Sequence, residues 1–188
     1  MRWWVFFLFT VIAVGLDNGF GSVFTLRGAW FLAPSFAGCL VAFIALSAPA
    51  PTVVWAGWFV GLLIDLSPGL GEAVGSLHVI GPHALGFALG AWLVLTLRLY
   101  VFRRRVLTVA MLTFAVVWAA GVVQVLLGIV RFWLPWAGGE LVPFGIGELL
   151  HATGNAAYSA LLAIPVGWML IQSISIWRFD YGTTRRGY

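Results

Sequence analysis

The chain has 188 residues, 62% of them hydrophobic and 9% charged, with a formal net charge of +4. A mean hydropathy of +1.04, together with 11 Trp and 15 Phe, lies far outside the range of soluble globular domains and excludes that class. The bilayer is the solvent this composition fits, and the positive charge is read as membrane topology rather than as nucleic-acid affinity.

Apolar runs over residues 3–16, 30–46, 53–66, 77–97, 106–130 and 146–176 predict six transmembrane helices in a single membrane domain, residues 1–188. Runs of about 17–25 residues suit a hydrocarbon core ~30 Å thick. The first and third runs are short, which leaves a five-helix or re-entrant arrangement open. The first run also has the character of a signal-peptide core, but Asp17-Asn18-Gly19-Phe20-Gly21 is a poor cleavage site, so the segment is expected to be retained. The second run holds Cys39, the chain's single cysteine, so neither an intramolecular disulfide nor a thiolate metal cluster is expected.

The third run carries Gly57 and Gly61, and the fourth carries Gly86 and Gly90. Small residues four apart let helices approach closely where no hydrophobic force drives association. They fit packing within the chain or against a partner. Between the two runs, Ser67-Pro68-Gly69-Leu70-Gly71 reverses the chain. Pro82 is expected to kink the fourth span. His78 and His83 flank Gly81-Pro82 and share no clean helical face, so no metal site is predicted. The connection 134–145 carries Pro135, Gly138, Gly139 and Pro143 and reads as a turn-rich loop. No convincing internal sequence repeat is present, which argues against an inverted-repeat transporter.

Orientation follows from the arginines, since the chain lacks lysine. With the N-terminus cytoplasmic, Arg2, Arg98, Arg103, Arg104, Arg105, Arg178, Arg185 and Arg186 fall inside, against Arg27 and Arg131 outside. Both termini are therefore expected in the cytoplasm. The inner arginines fit anchorage to anionic lipid, with docking of a cytoplasmic protein as the sharper alternative. Trp3, Trp4, Trp30, Trp55, Trp58, Trp133, Trp136 and Trp177 sit near predicted span ends and are expected at the headgroup level.

Asp65 ends the third run at a helix C-terminus, where the macrodipole disfavours a negative charge. It needs donors, and the candidates are Ser67, Ser76, the N–H groups of the glycine turn or a histidine of the next span. Pinning this hairpin is one reading. A proton- or ion-handling carboxylate is the other, because ionisable groups at membrane depth are expensive.

On the last span Glu148, His151 and Asn155 fall on one helical face, which should point into the bundle. An internal Glu148–His151 pair assisted by Arg131, recognition of a ligand or partner, and a metal site are the three readings. Glu-x-x-His occurs once, whereas carboxylate-bridged di-iron bundles need two such helices. No cofactor is expected. Neither G-x-S-x-G, His-Glu-x-x-His nor paired aspartates on neighbouring helices is present, so nothing assembles a nucleophile, base and oxyanion site, and no catalysis is expected.

The segment Gly57-x-x-x-Gly61-Leu62-Leu63-Ile64-Asp65-Leu66-x-x-Gly69, with the glycine turn, small-residue helix and arginine-rich loop that follow, resembles the core of the rod shape-determining protein MreD family. The likeness covers roughly residues 55–105, and Asp17-Asn18 followed by Arg27-x-x-Trp30 adds to it. The longer last helix and tail, and Glu148, His151 and Asn155 within that helix, depart from the family pattern. The resemblance implies a non-enzymatic, multi-pass protein of the bacterial inner membrane that pairs with the bitopic protein MreC. That assembly links MreB filaments to the glycosyltransferase RodA and its penicillin-binding transpeptidase. It also implies a six-helix fold similar to the substrate-binding S-components of energy-coupling-factor transporters. A vitamin-binding S-component is thus the rival expectation. Its ligand would lie near the outer face, where Glu148, His151, Asn155 and Asp65 would supply the polar half of a site if they converge.

Overall fold

The computed structural model describes residues 1–19, 21–25, 32–67, 81–98, 106–133, 146–177 and 179, with the side chains of 21, 22 and 131–133 outside that description. Among the described residues the chain is helical: α1 (Trp3–Gly19), α2 (Gly21–Phe24), α3 (Phe36–Ser47), α4 (Ala50–Leu66), α5 (Pro82–Leu97), α6 (Val106–Trp133), α7 (Ile146–Gln172) and α8 (Ile174–Trp177). Residues 106–130 of α6 and the whole of α7 are long and apolar enough to cross a membrane. Helices α1, α3, α4 and α5 are apolar but shorter.

The shortest of the main helices sits at the centre. Every residue of α3 from Ala37 to Ser47 is buried, and α3 packs against α1, α4, α5, α6 and α7. Its 12 residues extend only about 18 Å at ~1.5 Å per residue. Small side chains at Ala37, Gly38, Ala42 and Ala45 let so many neighbours crowd one helix. Around it α4, α5, α6 and α7 pack each on the next in chain order, while α1 closes the remaining side against α3 and α4. The outward faces stay apolar: Trp4, Leu8 and Val11 of α1, Trp55 of α4, Met111 of α6 and Met169 of α7 are all exposed. A helix that is apolar on both faces belongs in lipid or in a larger core.

The ends of the helices alternate. The Asp17 carboxylate, in the last turn of α1, reaches the first residues of α3, and Asp65, in the last turn of α4, reaches the first residues of α5. At the opposite end the Arg98 guanidinium, just past α5, donates to the Ala48 and Ala45 carbonyls at 2.8 and 3.4 Å, which closes the C-terminus of α3. There too the Arg2 N–H donates to the Trp177 carbonyl at 3.1 Å, so the first and last helices meet at the same end of the bundle.

Several expected boundaries change. Within the run 30–46 the described residues 32–35 are not helical and α3 begins at Phe36, because Ala33 precedes Pro34 and is biased away from α-helix, and Ser35 then caps α3 by accepting the Gly38 N–H at 3.0 Å. Pro82 does not kink a span. It stands at the first position of α5, where its missing N–H costs nothing, and Gly81 before it takes φ +128. The last run is not continuous to 176, because a turn at Ser173 separates α7 from α8. The Ser173 hydroxyl donates to the Leu170 carbonyl at 2.8 Å and accepts the Trp177 indole N–H at 3.0 Å, competing with the helical ladder. Trp177 is accordingly not a headgroup-level residue: it is fully buried, stacked on Phe179 at 5.6 Å and packed against Phe9 and Phe43. Trp3, Trp4, Trp55 and Trp58 do stand exposed. Trp30 and Trp136, with the side chain of Trp133, lie outside the described residues, as do Arg27, Arg103, Arg104, Arg105, Arg178, Arg185 and Arg186 and the side chain of Arg131.

Candidate functional site

The polar side chains gather where α1 and α4 end and α3, α5 and α7 begin. Asp65 is 1% exposed and both of its oxygens are engaged. Oδ2 accepts the N–H groups of Gly81 and Ala84 at 2.9 and 3.0 Å, and Oδ1 accepts the His83 N–H at 3.2 Å. The His83 Nδ1 stands 2.7 Å from the same Oδ1. A carboxylate only accepts, so Nδ1 carries the proton in this contact. The charge that opposes the dipole of α4 thus lies against the N-terminus of α5, where it is favourable and satisfies donors the helix cannot. Among the expected donors, Ser67 is instead an acceptor for the Asn18 Nδ2 at 2.7 Å, and Ser76 lies outside the described residues.

Asp17 repeats the device, and sequence reasoning missed it. Its carboxylate accepts the Phe36 and Ala37 N–H groups at 2.6 and 3.0 Å and faces the Ser35 hydroxyl at 3.4 Å. Phe36 lies 19 residues after Asp17, and Ala84 lies 19 after Asp65. The signal was an aspartate closing one apolar run, followed at similar distance by a proline opening another, Pro34 in one case and Pro82 in the other.

One face of α7 holds the approach to α3. Asn155 Oδ1 accepts the Ala33 N–H at 3.1 Å, and the Ser159 hydroxyl accepts the Ser35 N–H at 2.9 Å while donating to the Asn155 carbonyl at 2.7 Å. The Tyr158 hydroxyl donates to the Phe24 carbonyl at 2.8 Å. Asn155 was expected to point inward; its role in tethering the segment before α3 was not legible.

Between these helix ends lies a cavity of about 390 Å³, lined on its polar side by Asp17, His83, Gln124, Glu148, His151 and Asn155 and on its apolar side by Ile64, Phe87, Val117 and Val125. Glu148, His151 and Asn155 therefore share both a helical face and a cavity. Asp65 does not line the cavity, but its partner His83 does. Among the described residues no three His, Cys, Asp or Glu side chains are placed to hold a metal ion.

The four described glycines singled out from the sequence lie elsewhere. A Cβ at Gly57 would come 2.8 Å from the Phe87 carbonyl oxygen, and one at Gly61 would strike the His83 carbonyl and lie 2.6 Å from the Ala84 Cα. Gly86 faces the Ala120 Cα at 2.8 Å and Gly90 the Val116 carbonyl at 2.9 Å by the same measure. The first pair seats α5 on α4, and the second seats α6 on α5. These glycine faces are therefore filled by the chain's own helices. Gly69 lies outside the described residues. Gly15 and Gly19, four apart on α1 and both exposed, have no described atom within 4 Å of where a Cβ would stand.

Comparison of the chain with family models, curated proteins and solved structures gives no match.

Proposed function

We propose that the protein is a non-enzymatic scaffold of the bacterial inner membrane, an MreD-like member of the cell-wall elongation machinery that binds a bitopic MreC-like partner. In this reading the six main helices cross the bilayer and both termini face the cytoplasm. The alternating helix ends, the apolar outward faces and the meeting of Arg2 with Trp177 support that topology. It places Asp17, Asp65 and the cavity toward the outside, opposite the arginine-rich connections.

The observation that carries the proposal is the use made of the segment on which the resemblance rests. Gly57 and Gly61 admit α5 to contact, and Asp65 locks the start of α5 with three backbone hydrogen bonds. In this reading the segment seats α5 closely on α4 and performs no chemistry, as a scaffold needs. A partner's transmembrane helix meets the bundle on α1, where Gly15 and Gly19 leave a shallow seat beside exposed Leu8, Val11 and Ile12. RodA, its transpeptidase and MreB enter through that partner, and anionic lipid holds the cytoplasmic arginines.

Affinity purification of the tagged protein from its own membranes in mild detergent tests the reading. Recovery of a bitopic coiled-coil protein with wall synthases is the expected result. Recovery of paired ATPases with a coupling membrane subunit would overturn it in favour of vitamin uptake.

A further inference from the structure

The cavity between the ends of α1, α4, α6 and the starts of α3, α5 and α7 takes no part in the scaffold reading. We propose that it binds a small organic cation, an ammonium group on a compact apolar body.

Its size of about 390 Å³ falls within the range of small-molecule sites, and an apolar wall facing a few convergent polar groups is their usual make-up. The sign of the ligand follows from the lining. Asp17 and Glu148 are the charged groups of known sign, no arginine is among the described lining residues, and the chain lacks lysine. Among the described lining residues a phosphate or carboxylate would meet two carboxylates and no cationic clamp.

The hydrogen-bonding capacity left over points the same way. Asp17 is already occupied by the start of α3. Glu148 has no hydrogen-bond or ion-pair partner among the described residues, and it lies in the first turn of α7. His83 donates an Nδ1–H hydrogen bond to Asp65 and keeps its side chain 36% exposed, so in the neutral ring Nε2 is an acceptor on the cavity wall. Asn155 spends its oxygen on the Ala33 N–H, which leaves its Nδ2 as a donor. Glu148 and His83 together thus offer acceptors to an N⁺–H group, while Phe87, Ile64, Val117 and Val125 take an apolar body. This inference does not depend on the identity of any protein partner.

Isothermal titration of the purified full-length protein in detergent provides the test, with four probes: 2-phenylethylammonium, 1,4-diammoniobutane, 2-phenylethanol and phenylacetate. The aromatic three share one body and differ in charge, so uptake into detergent micelles is separated from binding. Saturable binding of at least one ammonium probe is expected, weakened about tenfold or more by Glu148→Gln, as loss of a charge-assisted contact implies. Phenylacetate should not bind. Glu148 is exposed and its replacement is isosteric, and Cys39 remaining closed to thiol reagents will show that the variant is folded. Absence of saturable binding by both ammonium probes, binding of phenylacetate as tight as that of the cation, or an unchanged affinity in folded Glu148→Gln would each overturn the proposal.

Discussion

Asp65 and His83 meet at 2.7 Å across the junction of α4 and α5, and the same carboxylate oxygen also accepts the His83 backbone N–H. One helix therefore ends on the group that begins the next. The arrangement has a consequence for substitutions at residue 65. Because both oxygens accept, an asparagine amide would direct N–H protons at one set of donors. Asp65→Asn should lose nearly as much stability as Asp65→Ala, roughly 3 kcal/mol or more for the buried N–H groups left without acceptors. Thermal unfolding in detergent checks this, and an asparagine variant of near wild-type stability would show that acceptor capacity at one oxygen suffices.

Gly61 and Gly15 are both helix-interior glycines, yet the same change should have opposite effects. At Gly61 a methyl group strikes the backbone of His83 and Ala84, and overpacking of this kind costs about 1–3 kcal/mol. At Gly15 no atom of the described residues lies within 4 Å, so alanine should be neutral or stabilise by up to about 1 kcal/mol through helix propensity. Unfolding midpoints of Gly61→Ala and Gly15→Ala in one detergent decide the matter.

The central helix α3 carries a complementary charge at each end, the Asp17 carboxylate at its start and the Arg98 guanidinium at its finish. Arg98→Ala should destabilise by about 1–2 kcal/mol, and Arg98→Glu by more, since a carboxylate there repels the terminal carbonyls. Equal midpoints for the two variants would mean that the dipole contributes nothing.

Cys39 lies wholly inside, its Sγ 3.3 Å from the Ser35 carbonyl and 3.8 Å from that of Ser159. As the chain's only cysteine it reports on the seating of α3. Maleimide labelling of the folded protein should be slow, and Asp17→Ala, which frees the start of α3, should accelerate it at least tenfold, as loss of about 1.4 kcal/mol or more of local stability requires. Rapid labelling of the unaltered protein would refute this packing.

What the sequence made legible follows from cost. An aspartate ending an apolar run must find donors, so Asp65 stood out, and three polar residues on one apolar helix face must turn inward, so Glu148, His151 and Asn155 could be grouped. Asp17 carries the same burden but lies beside Asn18 and Gly19, where it reads as the ordinary polar end of a span. Its partners are 18 to 20 residues away in sequence, so only the match to the Asp65–Pro82 spacing, and no local pattern, points to them. The half-length of α3 was hidden because Ala33 and Pro34 do not interrupt hydropathy, although they interrupt helix. Trp177 has the flanking sequence of a boundary tryptophan, and it is the rings of Phe9, Phe43 and Phe179 and the hydroxyl of Ser173 that make burial the better arrangement.

The seat proposed on α1 for a partner helix gives the sharpest separation of assembly from stability. Gly57, Gly61, Gly86 and Gly90 are covered by the chain's own helices, whereas Gly15 and Gly19 are open among the described residues, and a leucine at Gly15 would project into the space a neighbouring helix would occupy. Gly15→Leu should therefore leave the unfolding midpoint within error while reducing recovery of the bitopic partner by about tenfold, the effect of roughly 1.4 kcal/mol at an interface. Gly61→Leu should lower both quantities together. If Gly15→Leu retains full partner recovery, the partner binds on a face other than α1, and the outward surfaces around exposed Trp55 of α4 and Met169 of α7 become the next to be tested in the same assay.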